Sequence, residues 1–259
     1  RPGFPRMTIA PIAASVLSAG RFRSWAATHV GTVRTRNEDA FVNRPDLGLW
    51  AVADGAGGHQ AGEVAAAMVT EALGAVSGGL GAAQLLHEAR ARIFRAHDLL
   101  RAEAARRGAD AMLATTVVVL LARGDHYACL WAGDSRAYLL RRGRLIQVTH
   151  DHSLVQELVD AGTISAEDAA HHPRANIITR AVGAAGEPLD LDKISDRLQP
   201  GDRFLLCSDG LSKTVPQGDL ADLLARAETP TEHLISAALE RRVDDNVTAV
   251  AVEVLPNVA

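Results

Sequence analysis

Three apolar runs separated by very short turns set the strongest constraint on how this chain can fold. TTVVVLLA (115–122) is an unbroken β-branched and apolar stretch, as expected of a strand buried on both faces. Arg123-Gly124-Asp125 reads as a turn, and HYACLWAG (126–133) is the next strand. RAYLLRRGRLIQVT (136–149) repeats the pattern around Arg142-Gly143. Connections this short leave no room for a helical crossover, so these strands pair antiparallel. LGLWAVADG (47–55), RFLLCSDG (203–210) and NVTAVAVEV (246–254) read as further strands. Helical spacing appears at 62–76, with Val64, Met68 and Leu73 inward. It appears again over 82–107, with Leu85, Leu86, Ile93 and Leu99 inward and a stop near Gly108. Two shorter helices are expected at 217–227 and 230–242. Hairpins with helices in blocks predict an α+β protein, antiparallel sheets covered by helices, and not a parallel βαβ sheet. Residues 150–187 carry short helices and no long strand, and read as an insertion beside the core.

Composition narrows the function classes. The chain has 259 residues, 47% hydrophobic and 22% charged, which excludes intrinsic disorder. Its 27 Lys and Arg against 31 Asp and Glu give a net charge of -4, without the basic excess of a nucleic-acid binder. Cys129 and Cys207 both sit in apolar runs and read as small buried hydrophobes. They suit a reducing, cytoplasmic setting and make no zinc site. No apolar run is long enough to span a bilayer, so no membrane partner is expected. Residues 8–20 are uncharged, but Pro11 interrupts them and they make a poor signal peptide. Residues 1–22 are expected to be a flexible leader before a single domain over 23–256. With no apolar surface stripe evident, a monomer is expected.

The chemistry is signalled by where acidic residues fall. Glu38-Asp39, Asp54-Gly55, Asp134, Asp209-Gly210 and Asp245-Asn246 stand at the predicted strand ends or beside glycine or asparagine. A carboxylate ending an apolar strand is costly unless it reaches water or a cation. One such residue is an ordinary turn aspartate; five spread over some 200 residues suggest convergence. Packed carboxylates repel unless a metal neutralises them, and an oxygen-only set suits Mg²⁺ or Mn²⁺. Ordinary turns remain the alternative on this reasoning alone. Arg34 lies near Glu38 and offers a planar fork for phosphate. His59 follows a glycine-rich turn, where it would donate a proton near neutral pH.

Seven segments in order resemble the metal-dependent protein phosphatases of the protein phosphatase 2C family, in its compact bacterial form. They are GTVRTRNEDAF (31–41), LWAVADGAGGHQAGEVAA (49–66), LATTVVVLL (113–121), WAGDSRAYLLRRGRLIQVTHDHSLV (131–155), HPRANIITRAVG (172–183), FLLCSDGL (204–211) and DDNVTAVAVEV (244–254). The resemblance implies a four-layer αββα sandwich, with residues 150–187 as a flap. It implies that Asp54 bridges two metals, the Gly55 carbonyl binds one, and Asp209 and Asp245 complete their shell. Glu38 and Asp39 match a pair that binds metal mainly through water, and Asp134 matches a ligand of a third, weaker site shared with Asp209. Arg34 matches the phosphate-binding arginine and His59 the general acid. The implied reaction is hydrolysis of phosphoserine or phosphothreonine by a metal-bridging hydroxide, with no phosphoenzyme. The implied partners are phosphorylated proteins, such as those of a Ser/Thr kinase system. A catalytically silent scaffold of the same fold is the alternative, and lost metal aspartates would mark it. Ala56 and Ser212-Lys213 depart from common family residues, and neither removes a ligand.

Overall fold

The computed structural model describes residues 13–57, 61–108, 111–186, 188–226 and 228–256. The chain runs through β1 (Ala13–Ala19), β2 (Phe22–His29), β3 (Asp39–Arg44), β4 (Leu49–Ala56), α1 (Ala61–Gly74), α2 (Ala82–Arg107), β5 (Ala114–Thr115), β6 (Val117–Arg123), β7 (His126–Ala132), β8 (Arg136–Arg141) and β9 (Arg144–Gln147). It continues through α3 (Leu154–Asp160), α4 (Ala166–Ala170), β10 (Asp192–Arg197), β11 (Arg203–Cys207), α5 (Asp209–Ser212), α6 (Gln217–Ala225), α7 (Pro230–Glu240) and β12 (Val247–Val254). One sheet has the order β1-β2-β12-β11-β8-β9. The other has the order β10-β7-β6-β4-β3, with β5 against β4. Every strand pair in both is antiparallel.

The period-2 geometry of a strand explains the continuous apolar runs. In β6, Val117, Val119 and Leu121 pack under α1 and α2, against Val69, Leu85 and Ile93. Val118 and Leu120 face the other way, into the layer between the sheets with Trp50, Phe204, Leu206 and Val250. In β11, Leu205 and Cys207 face α6 and α7, against Leu220, Leu234 and Ile235. Two sheets, each covered by helices on its outer face, make the four-layer αββα sandwich. Cys129 belongs to the inter-sheet layer and Cys207 to the helix-covered one, so the two free thiols lie in different layers.

The structure corrects some expectations in detail. Residues 13–19 pair with β2 along their whole length and form an edge strand, so the leader expected over 1–22 cannot extend through them. Residues 1–12 lie outside the described residues. Leu99 of α2 is exposed and Leu100 takes the inward position, because the buried stripe runs Leu85, Ala89, Ile93, Ala96, Leu100. Residues 150–187 hold α3 and α4, N-capped by Ser153 and Ser165, and neither helix buries a residue. This flap is fastened at its base, where Leu154 N–H donates to the Ile177 carbonyl and Thr179 N–H to that of His152.

Candidate metal centre

Antiparallel order brings the strand-end acids together. The ends of β4, β7 and β11 and the starts of β3, β8 and β12 all fall on one edge of the sandwich. Asp39 and Asp54 are directly opposite across β3 and β4. Asp134 follows β7, Asp209 opens α5 just after β11, and Asp245 precedes β12. Five distant segments therefore deliver carboxylates to one rim.

The backbone around them is held tightly. The Asp54 carbonyl accepts from Thr116 N–H at 2.8 Å and from Thr115 Oγ1 at 2.9 Å. Thr116 Oγ1 bonds Ser135 Oγ at 2.7 Å, beside Asp134. Ser208 Oγ donates to Asp39 Oδ2 at 2.7 Å and so ties one sheet to the other. Asn246, buried, accepts from Glu38 N–H at 2.8 Å through Oδ1 and donates through Nδ2 to the carbonyls of Val30 and Arg36. It fixes the loop that carries Arg34 and Glu38. Gly55 and Gly62 are in close contact: a Cβ on Gly62 would lie 2.7 Å from the Gly55 carbonyl oxygen and 2.8 Å from Glu38 Oε2. Only glycine lets the start of α1 approach the rim this closely.

The electrostatics are those of carboxylates in need of cations. Burial raises the Asp54 pKa well above the ordinary range, and Asp39, Asp209, Asp134 and Asp245 each raise it further. Asp39 is pushed up to about 7, by burial first and then by Asp209 and Asp245, against the Ser208 bond that lowers it. Asp134 is raised by burial and by Asp209, and Glu38 by burial. Asp134 Oδ1 is buried with no hydrogen-bond partner. Hard oxygen donors crowded at one rim and raised pKa values fit a divalent-metal centre.

As the side chains stand, no three His, Cys, Asp or Glu residues among the described ones close round a single point. Protein cations already engage them. Arg34 Nη2 donates to Asp245 Oδ2 at 2.9 Å, and this pair raises the Arg34 pKa. Lys213 Nζ donates to Asp209 Oδ2 at 2.7 Å and to Asp134 Oδ2 at 3.0 Å. Burial alone would lower the Lys213 pKa, but the two aspartates hold it above its ordinary value. The structure thus brings Glu38, Asp39, Asp54, Gly55, Asp134, Asp209, Asp245 and Arg34 to one rim, while His59 lies outside the described residues. Sequence reasoning missed Asn246 and Ser208 as positioning groups, although both stand within the quoted motifs, and passed over Lys213 as a harmless departure.

A rim of oxygen donors on an αββα sandwich is the arrangement that the family resemblance implies. The model of the protein phosphatase 2C family matches residues 28–245, and the chain belongs to that family. It is 36% identical over 227 residues to the serine/threonine protein phosphatase PstP of Mycobacterium tuberculosis, covering 87% of this chain and 43% of that protein. It is 35% identical over 236 residues to the serine/threonine phosphatase Stp of Listeria monocytogenes, covering 87% of this chain and 93% of the relative. The chain therefore spans less than half of the first relative and nearly all of the second. Among solved structures, PppA, described as a key regulatory component of T6SS in Pseudomonas aeruginosa, superposes with a TM-score of 0.82 at 39% identity. That match covers 92% of this chain and 99% of PppA. The catalytic domain of PstP in complex with two manganese ions superposes at 0.78 with 36% identity, covering 91% and 99%.

Proposed function

We propose that this chain hydrolyses phosphoserine and phosphothreonine on proteins with two divalent cations, Mn²⁺ or Mg²⁺, and without a phosphoenzyme. The observation that supports this most strongly is the field at Asp54, where four carboxylates from four other segments act on one half-buried aspartate. Asp54, the Gly55 carbonyl, Asp209 and Asp245 would hold the ions, with Glu38 and Asp39 acting through water. Bound there, such ions lower the pKa of a water toward neutrality and supply positive charge for phosphoryl oxygens. Arg34 orients the phosphate through its guanidinium fork, for which it must leave Asp245. His59 gives a proton to the departing alkoxide. The substrates are phosphoproteins, with those of a Ser/Thr kinase first among them, and the setting is cytoplasmic. Among the described residues no helix is long and apolar enough to cross a membrane.

The test is hydrolysis of a phosphothreonine peptide by the purified chain. EDTA should abolish it, Mn²⁺ should restore it, and Asp54→Asn should remain inactive at any Mn²⁺ concentration. Full turnover in chelator, or an active Asp54→Asn protein, would overturn the reading.

A further inference from the structure

Among the described residues Lys213 is the one cation of the rim that hydrogen-bonds two of the expected metal ligands at once. It follows α5 directly, four residues after Asp209 and so on the same side of that turn. Its ammonium has three donors, and they meet three oxygens: Asp209 Oδ2 at 2.7 Å, Asp134 Oδ2 at 3.0 Å and Asn176 Oδ1 at 3.1 Å. Asp134 is almost fully enclosed, with 2% of its side chain exposed. An aspartate there must be paired, and its partner is supplied by the chain itself.

Asp134 and Asp209 are the two residues that the family resemblance assigns to a third, weaker metal. That ion does not fit beside Lys213. A hard divalent cation needs about six oxygen ligands, and the ammonium already holds one oxygen each of Asp134, Asp209 and Asn176. Beyond those, the two aspartates have one oxygen each, of which Asp134 Oδ1 is buried without a hydrogen-bond partner, so an ion beside the ammonium would have to take most of its shell from water. The ammonium and a divalent cation would also repel each other across the same two carboxylates. Asn176 adds a further function, because it belongs to the flap, which otherwise buries no helical residue on the sandwich. One side chain thus joins the end of β7, the start of α5 and the flap.

We propose that Lys213 is a built-in cation that stands in place of the third metal ion and pins the flap to the rim. The proposal rests on the two-metal reading above, and the experiment separates the two. Mn²⁺ bound per chain is counted by native mass spectrometry and by equilibrium dialysis, across a titration to saturation. The native chain should bind two ions. Lys213→Ala should bind two with similar affinity and a third more weakly. Lys213→Ala combined with Asp134→Asn should return to two. A native chain that binds three ions overturns this proposal and leaves the two-metal reading intact. A folded Lys213→Ala protein that stays at two ions overturns it as well. A native chain that binds none overturns the two-metal reading and this proposal with it. Circular dichroism checks folding, and Lys213→Gln, which keeps length and polarity without the charge, replaces the alanine variant if that one does not fold.

Discussion

The Asp39 carboxyl gives the metal-free protein a pH dependence that can be worked out in advance. Its pKa rises from an ordinary 3.8 to about 7 on folding, chiefly because burial disfavours the charged form. Between those values the folded chain holds a proton that the unfolded chain has released. Stability therefore falls as pH rises from about 4 to about 7. A shift of that size corresponds to at most about 4 kcal/mol. Asp39 is not closed off completely from solvent, so roughly half of this, about 2 kcal/mol, is expected to survive. About 1.3 kcal/mol of this is lost between pH 5 and pH 7.5, which for a chain of this length is a fall of about 3–5 °C in Tm. Buried His97 and His152 act in the opposite sense: their pKa values are lowered, so they favour the fold as pH rises toward 6.5. The informative quantity is therefore the difference between the native chain and Asp39→Asn, measured by calorimetry in EDTA. The variant should lose the fall assigned to Asp39 and be the more stable protein at pH 7.5. Saturating Mn²⁺ should reverse the pH order in the native chain, because ligands must shed protons to bind metal. If Asp39→Asn shows the same pH slope in EDTA as the native chain, Asp39 does not carry the shift and the reasoning fails.

Arg34→Ala should barely move Tm, since an exposed ion pair contributes less than about 1 kcal/mol, while KM for a phosphopeptide rises roughly tenfold. An unchanged KM would count against phosphate binding. Gly62→Ala forces a methyl group against the Gly55 carbonyl and Glu38. It should cost about 1–3 kcal/mol and weaken Mn²⁺ binding in a dialysis titration, and native affinity would show that the close approach is dispensable. Arg136→Leu leaves Asp151 buried without its guanidinium partner. It should cost about 3–5 kcal/mol in denaturant unfolding, and a loss under about 1 kcal/mol would mean that the site relaxes.

How much of this was legible in the sequence depends on what made each element form. β6, β11 and β12 are buried on both faces, so apart from Arg123, Arg203, Thr248 and Glu253 their positions are apolar and the run is visible. β10 (DKISDR) is a polar edge strand that exists through its pairing with β7, and nothing local marks it. β1 is likewise exposed, with Val16 and Leu17 in solvent. In β2, buried Ser24 donates to Asn43 Oδ1, a long-range bond that hides the strand behind a polar letter. The acidic ligands were legible because a carboxylate closing an apolar strand is anomalous by itself. Lys213 was not, because its meaning depends on Asp134, 79 residues earlier, being brought to it by the packing of two sheets. The pairing of Arg34 with Asp245 is hidden in the same way, spanning 211 residues.

The burial of the two cysteines in separate layers has a consequence for life under oxidative attack. Thiolates, and hardly thiols, react with peroxide, and burial pushes Cys207 up to about 12 and Cys129 higher still. Neither sulfur belongs to the carboxylate rim, and neither presents surface to an oxidant. A dose of hydrogen peroxide that converts an active-site thiolate to sulfenic acid finds no such target here. On the function proposed above, dephosphorylation by this chain would continue while thiol-dependent enzymes in the same solution fall silent.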